Sequence, residues 1–375
     1  MRGVQKLRNI LWLGLKELRS LAADVFLLGF VIYSFSFTVY SQATGVSHEL
    51  RSASIAIVDE DRSALSGRFA QAFLPPFFQR PQIIPLAEVD RRMDTGRNTF
   101  VLDIPPDFEA DLVAGRQPVI QLNIDATAMM QAGIGASYIQ EIVAREIATF
   151  LGREAEPAVE LQIRVAFNPN LTTSWFTGVM AILNNITLLA VLLSGAAVVR
   201  EREHGTLDHL LVLPVTPFEI AMAKVWANGL VITVATGLSL WFVVHRLLGV
   251  PIAGSIPLFL CGVTLYLFFA TAVGLLLGTL ARSMPQLGLL FILVVLPMNL
   301  LSGGSTPFES MPRPLQLVMS LVPSSHFVNF AQAILYRGAG LDIVWPQFVA
   351  VTAVGAIMLA IALLRFRAAL AAQSQ

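Results

Sequence analysis

Twenty-five consecutive residues, Trp175 to Val199, carry no charged side chain. A helix crosses ~30 Å of hydrocarbon with about 20 apolar residues, so this run alone commits the chain to a bilayer. Five further stretches are of the same kind, at roughly 22–41, 225–245, 257–281, 286–301 and 345–364. The one at 286–301 is bracketed by Pro285 and Pro297 and followed by Gly303-Gly304. The chain is 55% hydrophobic and 13% charged, with a mean hydropathy of +0.68, which lies outside the range of soluble domains. The expectation is an α-helical polytopic membrane protein of six transmembrane helices. Zero net charge implies no bulk attraction to nucleic acid, and the single Cys261, inside an apolar run, excludes a disulfide or a cysteine zinc site.

Lysine and arginine set the expected orientation. Residues 1–20 hold Arg2, Lys6, Arg8, Lys16 and Arg19. With that end in the cytoplasm, eleven basic residues fall inside and three in the two short outer loops, 246–256 and 302–344. The C-terminus is then cytoplasmic, 200–224 is a cytoplasmic hairpin and 42–174 lies outside. Val4, Leu7, Leu11, Leu18 and Leu21 share one face of a helix with basic residues opposite, as in a helix lying in the membrane interface. The same region fits a signal peptide, with small-x-small residues at Ser41-Gln42-Ala43. The amphipathic helix favours an uncleaved anchor, with residues 1–20 as the helix and 21–41 as the first span.

Residues 42–174 are polar enough to fold in water, with 17 acids against 11 arginines. The pattern predicts an α/β domain, with strands at 54–58, 99–104, 119–124 and near 158–167. Helices are expected at 63–72, from Pro105-Pro106 to Gly115, and at 128–151. Asp59, Asp61, Asp103, Asp107 and Asp125 fall at expected strand ends, where carboxylates accept backbone N–H bonds in turns and N-caps; that reading is preferred to a metal or catalytic cluster.

The charge that the spans lack is concentrated between two of them. Arg200-Glu201-Arg202-Glu203-His204-Gly205-Thr206-Leu207-Asp208-His209-Leu210-Leu211-Val212-Leu213-Pro214 has ionic shoulders, a Gly-Thr that can cap a helix, and leucines on one helical face. Pro217 and Glu219 then start another helix with an acid in its first turn. Such a short, stiff element either rests on lipid headgroups or docks in a soluble partner. His204 and His209, five apart, share a helix face poorly and have no third ligand nearby, so no metal site is expected. A phosphate-cradling loop needs Gly-Lys-Ser/Thr, and none of Lys6, Lys16 and Lys224 follows a glycine. The chain therefore lacks that ATP site.

In order and spacing, this loop resembles the first cytoplasmic loop of ABC type-2 permeases. The C-terminal third resembles them too, through Pro297-Met298-Asn299-Leu300-Leu301-Ser302-Gly303-Gly304-Ser305-Thr306-Pro307, Met311-Pro312, Leu321-Val322-Pro323 and Leu335-Tyr336-Arg337-Gly338. There the family has a broken, re-entrant outer segment; Ser325-His326-Phe327 departs from the Leu-Thr-Tyr-like residues usual at that point. With the elbow-like first helix and the six-span layout, the likeness covers nearly the whole chain. The large insert after the first span most resembles bacterial inner-membrane exporter permeases. The resemblance implies a permease subunit, not an enzyme, driven by a separate ABC ATPase subunit that holds the ATP and Mg. It implies a second permease copy or homologous partner, and leaves room for a periplasmic adaptor protein on 42–174. It assigns ATPase coupling to Glu201, Glu203, Gly205, Thr206, Asp208, Leu210 and Pro214. It assigns the translocation path to the second and fifth spans, where Asn184, Asn185, Thr187 and Asn299 are the polar candidates. Asn228 in the third span reads better as an interhelical hydrogen-bonding residue.

Other functions account for less. An ion-coupled carrier places ionisable groups near the midplane, and spans two to six have none in their centres. A membrane-anchored extracytoplasmic sensor or scaffold explains the outer domain but not five more spans. A membrane hydrolase would need Gly-x-Ser-x-Gly or His-Glu-x-x-His, and neither occurs.

Overall fold

The structure is a computed structural model that describes residues 2–45, 52–125, 129–152, 172–203, 215–304, 306 and 308–373. It divides into two compact units, one of residues 47–164 and one of residues 1–46 with 165–375.

The chain starts with α1 (Arg2–Ala23). Its exposed side chains include Val4, Leu7, Leu11 and Trp12, while Gly14 is buried. Asp24 breaks the helix and caps the next one, α2 (Val25–Gly45), by accepting the Leu27 N–H at 3.1 Å. Within α2, residues Ser34–Thr38 wind as a π-helix.

The 47–164 unit is built on four strands, β1 (Ile55–Asp59), β2 (Gln82–Ile83), β3 (Phe100–Ile104) and β4 (Gln121–Ile124). In chain order, α3 (Ala64–Ala72) follows β1, α4 (Val89–Asp94) follows β2, α5 (Phe108–Val113) follows β3 and α6 (Met129–Phe150) follows β4. The sheet order is β2-β1-β3-β4, with β1 parallel to both neighbours and β4 antiparallel to β3. The alternation in β1 and β3 explains two cores. Ile55, Ile57, Phe100 and Leu102 pack with Phe69, Phe73 and Ile139 from α3 to α6, whereas Ala56, Val58 and Val101 meet Ile84, Val89 and Met93. The strands and helices expected from the pattern are present, apart from the strand near 158–167, which lies outside the described residues. The two-residue β2 and the short α4 were not expected.

Some carboxylates of this unit accept backbone N–H bonds, while Glu88, Asp111, Glu141 and Glu146 pair with arginines. Asp59 accepts the Arg62 N–H at 2.8 Å and the Ser66 hydroxyl at 3.0 Å. Asp61 accepts the Glu109 N–H, and Glu109 reaches back to the Leu65 N–H. Two aspartates depart from the expectation. Asp107 precedes α5 with φ at 58° and makes no side-chain capping bond. Asp103 lies within β3 rather than at its end, opposite Val58 and Gln121. Burial, and then the nearby Glu60, raises its pKa above the ordinary carboxylate value. No group of side chains suited to a metal ion occurs among the described residues.

Among its described residues, the other unit has helices and no strand. After α2 it continues with α7 (Thr173–Glu203), α8 (Pro217–Leu247), α9 (Ile256–Leu280), α10 (Met284–Leu300), α11 (Arg313–Met319), α12 (Pro323–Leu335) and α13 (Leu341–Gln373). Five helices, α2, α7, α8, α9 and the Leu341–Ala368 part of α13, are long and apolar enough to cross a membrane. The bent pair α11–α12, with an 82° angle, brings the number to six if it counts as one span. The expected fifth span is α10, with 17 residues and Pro297 inside it, a length of ~25 Å that falls short of the hydrocarbon thickness. Pro285 does not break it: Ser283 caps the helix and Pro285 sits in its first turn.

Helices α7 and α9 form the centre of this unit. A Cβ placed on Gly274 would lie 2.5 Å from the Val191 carbonyl oxygen, and one on Gly278 would lie 2.7 Å from that of Gly195. The two backbones approach as closely as Gly274-x-x-x-Gly278 allows, which is how membrane helices gain dispersion contact without a hydrophobic drive.

Candidate coupling and pathway sites

Helix α7 does not end where its apolar run ends. It continues through Arg200, Glu201, Arg202 and Glu203. Four consecutive helical residues point ~100° apart and sweep around the axis, so each meets a different neighbour. Arg200 reaches Asp24 at the head of α2, Nη1 to Oδ2 3.3 Å. Glu201 accepts from Lys224 Nζ of α8 at 2.7 Å, and the same ammonium donates to Glu17 of α1 at 3.0 Å. Arg202 donates to the Ala281 carbonyl at 2.5 Å and that of Thr279 at 3.3 Å, at the C-terminal end of α9. Glu203 accepts the Met284 N–H at 3.2 Å, at the start of α10. The signs suit the helix dipoles, with a cation at a C-terminus and an anion at an N-terminus.

The entry to α8 reinforces this junction. Thr216 and Glu219 form a reciprocal capping box with Pro217 in the first turn. Glu219 is buried and also accepts from Asn9 Nδ2 of α1 at 3.1 Å. Two turns on, the Trp226 indole N–H donates to the Ile10 carbonyl at 3.0 Å, and its ring lies where a Cβ on Gly14 would be. Among the residues assigned to coupling, Glu201 and Glu203 thus face their own protein. Gly205, Thr206, Asp208, Leu210 and Pro214 lie outside the described residues.

The pathway candidates separate into two kinds. Asn185 is 5% exposed and donates from Nδ2 to the Ser34 carbonyl at 2.6 Å. The Ser239 hydroxyl of α8 donates to the adjacent Phe35 carbonyl. The wider π turn loosens the backbone ladder of α2 at this point, and both helices supply donors there. Thr187 is also buried; its hydroxyl lies 2.9 Å from that of Tyr266, whose ring stacks on Phe327 at 4.0 Å between centroids. Asn228 donates to Ser194 at 3.4 Å, as an interhelical hydrogen-bonding residue should. Asn184 and Asn299, by contrast, are only partly buried. Asn184 opens a stripe, Asn184, Leu188, Leu192 and Ala196, that is partly exposed along an otherwise buried stretch of α7. Sequence reasoning missed Lys224 and Glu17, whose only signal was charge close to a span, and Tyr266.

A profile described as ABC-2 family transporter protein matches residues 24–364. The chain is 56% identical over 367 residues to the inner membrane transport permease YhhJ of Escherichia coli (strain K12), covering 97% of this chain and 98% of that protein. It is 31% identical over 340 residues to the probable multidrug ABC transporter permease YbhR of the same strain, covering 88% and 90%. A third relative there, the probable multidrug ABC transporter permease YbhS, is 25% identical over 339 residues, covering 88% and 89%. With the profile spanning all but the ends and one relative alike along nearly its full length, the chain belongs to the ABC-2 family of transporter proteins.

Proposed function

We propose that this chain is the permease subunit of an ATP-driven exporter in a bacterial inner membrane. Six spans per copy, with α10 as the fifth, combine with those of a second copy or a homologous partner to enclose the path. Both termini are cytoplasmic and residues 42–174 are periplasmic, where an adaptor protein can dock. The segment that follows Glu203 meets a separate ABC ATPase that binds ATP and Mg. The carrying observation is where the ionisable groups lie. In the described spans Asp, Glu, Lys, Arg and His are confined to the ends, at Arg200–Glu203, Glu219, Lys224, His245, Arg246, Asp342, Arg365 and Arg367, so none of them lies at the midplane to couple an ion. The energy then enters from outside the chain. The half-exposed Asn184 stripe and Asn299 are the polar groups available to line the path. Two relatives are named as probable multidrug transporter permeases, which favours drugs as the substrate class.

Inverted membrane vesicles containing the chain and its ATPase test this with ethidium as the probe. ATP should drive accumulation even after an uncoupler has collapsed the proton gradient, and a non-hydrolysable analogue should not. Accumulation that follows an imposed pH gradient without ATP would replace this reading with that of a secondary carrier.

A further inference from the structure

The proposed function leaves open how a push on the segment after Glu203 spreads through the helices. The cation at the junction is the informative group. Lys224 is 1% exposed, and its ammonium is held by Glu17, 22% exposed, and Glu201, 14% exposed. Three charges buried this way forfeit hydration, and side chains of similar volume without charge would glue three helices at least as well. What an ammonium between two carboxylates adds is direction: it fixes the distance and angle between α1, α7 and α8 at one point. Two independent contacts join the same pair of elements beside it, Asn9 to Glu219 and Trp226 to Ile10. On the other side of α7, Arg202 and Glu203 hold the α9–α10 turn by backbone groups instead.

We propose that Lys224 is a positioning residue for energy coupling: through Glu17 and Glu201 it makes the ends of α1, α7 and α8 move as one body when the ATPase acts. This rests on the permease reading above. A displacement entering at Glu203 then carries the interfacial helix and two spans together, while the α9–α10 turn follows through Arg202 and Glu203. Without the ammonium the two carboxylates lose their shared cation, and α1 and α8 stay joined through Asn9 and Trp226 while α7 loses its tie to them at this point.

The full chain with Cys261→Ser, in nanodiscs and bound to the ATPase that co-purifies with it, provides the test. Spin labels go at Leu11→Cys on α1 and Phe176→Cys on α7, both exposed positions. With the native triad, the 11–176 distance is the same in the nucleotide-free and the ATP–vanadate-trapped states. With Lys224→Met the trapped state shifts by about 2–5 Å, the scale of helix displacements in switching proteins, and the nucleotide-free state does not. Glu17→Gln, at a more exposed partner, keeps the fold and gives a smaller shift of the same kind. Either variant matching the native chain in both states overturns the proposal. So does an equal shift in both states, which would make Lys224 a brace without a role in the stroke. A native chain that recruits no ATPase overturns the permease reading first, before any label is introduced.

Discussion

Gly274→Ala should destabilise the protein even though alanine favours a helix. Replacing glycine by alanine inside a helix gains about 1 kcal/mol of propensity. At Gly274, however, the new Cβ would lie 2.5 Å from the Val191 carbonyl oxygen, 2.9 Å from Ser194 Cβ and 3.0 Å from Val191 Cα. Two of these three atoms are backbone and cannot rotate away. Ordinary contact begins near 3.4 Å, so α7 and α9 must part by about 1 Å, enough to forfeit a quarter to a half of each dispersion contact along the seam. Overpacking of this kind costs about 1–3 kcal/mol, and the net loss is up to about 2 kcal/mol once propensity is credited. Gly288 in α10 provides the control, because a Cβ there meets nothing within 4 Å, and Gly288→Ala should stabilise by about 0.5–1 kcal/mol. Propensity is common to both variants, so they should differ by the overpacking cost, about 1–3 kcal/mol. Unfolding of the full chain by SDS titration, followed by tryptophan fluorescence, measures the difference. A Gly274→Ala protein as stable as Gly288→Ala would refute the close packing of α7 on α9.

Asn185→Leu should lower stability in the same titration by about 1 kcal/mol, since it removes the donor to the Ser34 carbonyl at nearly constant volume; an unchanged midpoint would return Asn185 to the list of free pathway groups. Asp103 supplies a pH dependence. Its folded-state pKa is raised, so the folded protein holds that proton more tightly than the unfolded chain does. The cost of ionising it is absent below the ordinary aspartate range and appears as pH rises through the raised value. Asp103→Asn should therefore unfold at higher temperature than the native chain at pH 7 and at the same temperature near pH 3.5, and a pH-independent difference would be evidence against the buried-carboxylate reading.

Length and period carried most of the fold. Spans are legible because charge is excluded from 20-residue windows, and β1, β3 and β4 because apolar residues run through short segments between turn-forming ones. Where a signal was shorter than its window, it was lost. Gln82-Ile83 lies between Pro81 and Pro85 and offers two residues of pattern, yet Ile83 pairs with Ile57 at the edge of the sheet. The 82° bend between α11 and α12 depends on how the Leu321-Val322-Pro323 junction is oriented in three dimensions. Proline there warned of a break without giving its angle.

The site was legible as chemistry but not as direction. The residues alone leave this charged run either on lipid headgroups or docked in a partner, and resemblance to the permease loop assigns Glu201 and Glu203 toward an ATPase. Their partners are 23 residues away at Lys224 and 81 away at Met284, separations that no local pattern encodes. The same holds in the spans, where three polar residues within four positions of α7 have three different surroundings. Asn185 meets the π turn of α2, Thr187 meets Tyr266, and Asn184 lies on the half-exposed stripe. Composition alone ranked them as equals. In a helix buried on nearly every side, one stripe is left that its own chain does not fully cover, and the i+4 spacing of Asn184, Leu188, Leu192 and Ala196 leads from the polar mid-span position directly to Arg200. A rotation of α7 that changes what covers Asn184 therefore also turns the side chain that holds Asp24.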